Sequence, residues 1–155
     1  MAIRMSTALQ NHLLSSVPLN VALAFGVIEV YSGTQPASAD DAPTGTLLGK
    51  ITENGAAFAH GSPTNGLLLE PVPQYTTLVK AFAQTWVLVP SQMGTAGWWR
   101  FKANAADDNS VSLSHIRLDG AVQPPYNELF LETTSLVPGT DLTVSSFQIG
   151  FQTQE

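Results

Sequence analysis

Alternation of apolar and polar residues is cleanest near the end of the chain. Phe147, Ile149 and Phe151 share one side, and Gln148, Gly150 and Gln152 share the other. That period of two marks a half-buried strand. A second alternation follows Gly94-Thr95-Ala96-Gly97. Trp98, Arg100 and Lys102 share one face there, and Trp99, Phe101 and Ala103 share the opposite face. The Trp99 face predicts core. The Trp98 face, an indole flanked by cationic stems, predicts either a docking or sugar-stacking surface or an indole covering the edge of the core.

Shorter β-branched, aromatic or apolar runs predict strands at 27–31, 46–52, 66–70, 86–89, 111–118, 128–132 and 142–144. Residues 77–82 fit either a strand or a helical turn. Residues 86–89 and 97–102 are separated by a loop with Pro90 and Gly94, spacing that suits a hairpin. Asp107-Asp108-Asn109, Asp119-Gly120 and Pro138-Gly139-Thr140-Asp141 read as turns, and Gln123-Pro124-Pro125 as a stiff loop. Sustained helical spacing occurs near the start. Leu9, Leu13, Leu14 and Val17 form one face over 6–17, with Thr7 as the expected cap and Gln10 three residues later. A second short turn at 19–25 stops at Gly26.

The expected fold is therefore mainly β: an antiparallel β-sandwich or jelly roll with a short N-terminal helical segment. Residues 1–25 form a helical arm and 26–155 a single β-sandwich domain. The 155-residue length favours one domain. Residues 32–45 break the pattern with two prolines, two glycines and the pair Asp40-Asp41. A loop of that length serves either a partner or only the solvent.

Composition narrows the function. Charged residues make up 12% of the chain, about half the usual share. Surfaces poor in charge suit burial against partners, and they also suit a turn-rich β domain. Net charge is −6, and the six basic residues are scattered. No cluster could release phosphate counterions or attract anionic lipid, so neither nucleic acid nor membrane is an expected partner. The N-terminal polar residues break any signal-like apolar run, so assembly in a cytoplasm is expected. The absence of cysteine removes disulfides and thiol chemistry.

Candidate chemistry is sparse. His12, His60 and His115 fall in a helix, a loop and a strand, with no metal-ligand spacing. Asp40-Asp41 and Asp107-Asp108-Asn109 carry oxygens suited to calcium but follow no EF-hand pattern, and they read as surface turns. There is no nucleophile elbow, Walker sequence or dinucleotide fingerprint. Neither an enzyme nor a cofactor is expected.

Two stretches carry a resemblance. Gly26-Val27-Ile28-Glu29-Val30-Tyr31-Ser32-Gly33-Thr34-Gln35-Pro36 continues to Thr46-Leu47-Leu48, and Gly94-Thr95-Ala96-Gly97-Trp98-Trp99-Arg100-Phe101 follows later. Together with Arg4-Met5-Ser6-Thr7-Ala8-Leu9-Gln10-Asn11 and Asp141-Leu142-Thr143-Val144, they resemble small virion structural proteins of tailed bacteriophages. The resemblance implies a structural component of the virion. The first expectation is a capsid decoration or cement protein, homo-oligomeric, held to the major capsid protein or other virion proteins. A neck, tail or fibre component is the alternative. A carbohydrate-binding module using Trp98 and Tyr31 is the alternative of a different class. No catalytic residue comes with the resemblance. The arm at 1–25 and the loop at 32–45 are the expected contact elements. Tyr31, Gln35, Asp40, Asp41, Trp98 and Arg100 are the candidate contact residues.

Overall fold

A computed structural model of the chain describes residues 3–73, 76–122 and 128–150. The stiff loop expected at Gln123-Pro124-Pro125, and Phe151 and Gln152 of the last strand, lie outside the described residues. Along the chain run β1 (Arg4–Met5), α1 (Thr7–Leu14), α2 (Leu19–Ala22), β2 (Val27–Ser32), β3 (Leu47–Glu53), β4 (Thr77–Val79), β5 (Trp86–Pro90), β6 (Gly94–Lys102), β7 (Arg117–Ala121), β8 (Leu129–Phe130), β9 (Ser135–Leu136), β10 (Leu142–Thr143) and β11 (Ser146–Gly150). Among the described residues the large sheet runs β1-β7-β6-β2-β3-β5-β10, with β9 added to the start of β6. A smaller sheet runs β4-β11-β8. Pairings in both sheets are antiparallel, as expected of a β-sandwich.

Alternation explains how the two sheets meet. On β2, Ile28 and Val30 enter the core; on β6, Trp99 and Phe101 do so; on β11, Phe147 and Ile149. The Phe147 ring lies 5.1 Å from Trp99, 5.4 Å from Trp86 and 5.8 Å from Phe101. One ring from the small sheet is thus lodged among three from the large one. Burying each such side chain contributes on the order of 2 kcal/mol. The face that the sequence marked as core is the core.

The N-terminal segment joins this body. Met5 pairs with Leu118 of β7, and Ala8 and Leu9 of α1 are buried. Ser6, rather than the expected Thr7, caps α1, because its hydroxyl accepts from the Leu9 N–H at 3.2 Å. The helix is shorter than expected. Ser15 closes it and Ser16 turns to a left-handed φ of 72°.

Several expectations fail for topological reasons. Strands β5 and β6 are not a hairpin, since β3 and β2 lie between them. Residues 66–70 make two isolated bridges, Leu67 to Gly26 and Leu69 to Lys80, rather than a strand. Strand pairing near 111–118 begins only at Arg117, and Val111 and Leu113 are exposed. The Asp119-Gly120 turn does not exist. Both residues lie inside β7, where Gly120 sits opposite Trp99. A side chain at 120 would come within 2.4 Å of the indole, so the glycine is there to admit a tryptophan.

Candidate functional site

Cross-strand register turns the second face of the large sheet into one continuous polar layer. In adjacent strands Glu29 lies opposite both Arg100 and Lys50, Arg100 opposite Asp119, Lys102 opposite Arg117, and Tyr31 opposite Trp98. All but Lys50 are buried. Two loops cover them, residues 33–46 and 103–116.

The cover is pinned by named bonds. The Trp98 indole N–H donates to the Thr44 carbonyl at 3.2 Å. The Gly33 carbonyl lies where a side chain at Gly97 would have to stand. Arg4 donates to the Gln35 carbonyl at 3.3 Å and to that of Pro36. Asp40 accepts from the Thr7 N–H at 2.9 Å and the Thr7 hydroxyl at 2.7 Å, which ties the loop to the first turn of α1. The Asp41 carboxylate accepts from the Ser38 N–H at 3.1 Å.

Two arginines and one lysine sit beneath. Arg100 forks onto Asp119, Nε to Oδ1 and Nη2 to Oδ2, both at 2.8 Å. Both side chains are fully buried. Burial pulls the Arg100 guanidinium down, but the Asp119 carboxylate outweighs it and keeps the group charged. Arg117 forks onto Asp107 at 2.7 and 2.6 Å and donates to the Ser110 carbonyl at 2.8 Å. Its Nη1 also meets the Ala39, Asp40 and Asp41 carbonyls at 3.4 Å each. Burial works to raise the Asp107 carboxyl. Arg117, the Asn109 N–H and Lys102 together override it and hold the group at about 2.

Glu29 gathers the third cation. Its Oε1 is 3.3 Å from Lys102 Nζ, and its Oε2 accepts from the Tyr31 hydroxyl at 2.6 Å and the Asn109 amide at 2.9 Å. Burial would raise this carboxyl, but Lys102, Tyr31, Asn109 and Lys50 outweigh burial and lower it. Burial and the Glu29 carboxylate push the Tyr31 phenol above its ordinary value.

The candidate contact residues therefore sit otherwise than expected. Tyr31, Trp98 and Arg100 are interior. Tyr31 and Trp98 stack on each other at 4.6 Å, with the Arg100 guanidinium 5.5 Å from the Trp98 ring. Neither ring offers a face to a sugar or a partner, because loop 33–46 occupies that side. Asp40 and Asp41 are half-buried and engaged within the chain, and Gln35 is half-buried. Nor does the Trp98 indole cover the edge of the core: it is fully buried in the polar layer on the opposite face of the sheet. What the sequence hid was Asp119 and Arg117. Their only signal was an acid and a base two apart on a run with strand periodicity.

The fold also brings together what the sequence kept apart. Ligand atoms of Asp107, Asp108 and His115 lie within 4.8 Å of one another, a grouping that could hold a cation. Both Asp107 oxygens already accept from Arg117, and Asp108 accepts from the Ser110 N–H and hydroxyl. An ion there would have to compete with a buried guanidinium for its carboxylate. Among the described residues no helix is long and apolar enough to cross a membrane. No family model, curated protein or solved structure matches this chain.

Proposed function

We propose that this chain is a structural virion protein of a tailed phage that decorates or cements the capsid shell through protein–protein contacts. The observation that carries the reading is the outward-facing apolar set on the N-terminal segment. Leu14 is 86% exposed, Val21 57% and Phe25 37%. Large apolar side chains grouped on one segment suit a partner surface. The loop at 32–45 now supports the reading less than the arm does, because its polar groups are consumed in holding the fold. The partner is the major capsid protein or a neighbouring copy of this chain. The carbohydrate alternative loses its two rings to each other.

Quantitative electrophoresis of purified particles, with negative-stain localisation, tests this. Copies in the hundreds on the shell are expected. A single ring's worth at the neck or tail would replace decoration with the neck, tail or fibre alternative. Absence from mature particles would overturn the structural reading altogether. Leu14→Asp with Val21→Asp should change stability by less than about 1 kcal/mol, since both are exposed, and should abolish incorporation.

A further inference from the structure

Three groups of the buried layer form a set that its structural role does not require. Lys102, Glu29 and Asn109 meet at one carboxylate. The Lys102 amine lies on Glu29 Oε1 at 3.3 Å, and the Asn109 side-chain nitrogen lies on Oε2 at 2.9 Å. Lys102 and Glu29 are 2% and 3% exposed. The Asn109 Oδ1 is buried and accepts no hydrogen bond. Asn109 is further held at a left-handed φ of 65°, with its N–H on Asp107 Oδ1 at 2.8 Å.

We infer that Lys102 and Asn109 are poised to join in an intramolecular isopeptide bond, with Glu29 as the proton shuttle. An amine and a carboxamide are unreactive in water. Here one carboxylate touches both nitrogens whose protons must move. Glu29 Oε1 takes a proton from the Lys102 ammonium. The freed Nζ lone pair attacks Asn109 Cγ, and the C=O π pair moves onto Oδ1. Glu29 returns that proton to Nδ2, the Cγ–Nδ2 bond breaks and the C=O re-forms. The departing ammonia takes the second Nζ proton and leaves as ammonium. One lysine ammonium and one carboxamide thus become a secondary amide and one ammonium ion, with no oxidant or cofactor. The Lys102 amine also donates to the Asp107 carbonyl at 2.9 Å, which holds it beside the loop that carries Asn109. The Tyr31 hydroxyl on Glu29 Oε2 at 2.6 Å fixes the shuttle in place.

Mass spectrometry of the purified full-length folded chain, incubated near neutral pH, tests this. The intact mass should fall by one ammonia. Denaturation and trypsin should then give the peptide 101–117 uncut at Lys102 and lighter by the same ammonia. Glu29→Gln and Asn109→Ala should restore the full mass and cleavage at Lys102. A succinimide at Asn54-Gly55 or Asn65-Gly66 would also lose ammonia but would leave Lys102 cleavable, so the peptide rather than the intact mass decides. Wild-type protein at full mass and cut at Lys102 overturns the inference, whatever the variants do. A crosslink that persists in Glu29→Gln overturns the role of Glu29.

Discussion

Arg100 and Asp119 show how much one residue's surroundings decide. A surface pair of this kind contributes under about 1 kcal/mol. This pair is fully buried, where removing one partner strands the other charge. Asp119→Ala should therefore cost about 3–5 kcal/mol in denaturant unfolding. Arg100→Met with Asp119→Leu should recover most of that loss, because an apolar pair has no charge to desolvate. A double variant no more stable than Asp119→Ala would show that the pair itself stabilises the fold. Asp107 makes a second, pH-dependent contribution. Its folded value of about 2 lies below the ordinary 3.8. The stabilisation is therefore complete above about pH 4 and is lost as pH falls towards 2, amounting to about 2 kcal/mol. Unfolding midpoints measured across that window should slope less in Asp107→Asn than in wild type. Equal slopes would remove Asp107 as the cause.

At the scale of elements, β6 and β7 are built for each other. Trp99 needs the space at Gly120, and Arg100 needs the carboxylate at Asp119. Gly120→Ala should destabilise by about 1–3 kcal/mol through overpacking against the indole. The near-ultraviolet tryptophan signal of the folded state should shift with it. An unchanged unfolding midpoint would mean that the indole moves aside freely. The Asp-Gly dipeptide reads as a turn because both residues favour turns locally. Here two cross-strand partners outweigh that preference. The same competition explains residues 111–116. Their alternation looks like a strand, yet Arg117 takes the Asp107 carboxylate and the Ser110 carbonyl and holds the segment as part of a loop above it.

For the whole molecule, the inward polar layer and the outward apolar arm invert the simplest expectation. Cations and aromatic rings meant for a partner hold the protein's own loops, while side chains meant for a core stand in solvent on α1, on α2 and just beyond. If the proposed shell contact is right, substitution of Leu14 and Val21 should separate assembly from folding, as no core residue is touched. The period-two pattern by itself determined the β class and the core face carrying Trp99, Phe101, Phe147 and Ile149, and helical spacing determined a short N-terminal helix though not its Ser6 cap. Those features depend on which residues share a face, and that is local. Only the tertiary structure decided what covers the other face of the sheet. Whether Trp98 and Arg100 meet water or a loop depends on where residues 33–46 return. That path is set by distant partners, Arg4, Thr7 and Arg117, which no local spacing reveals. The meeting of Glu29, Lys102 and Asn109 was settled the same way, because register across β2 and β6 and a loop anchored elsewhere bring them together.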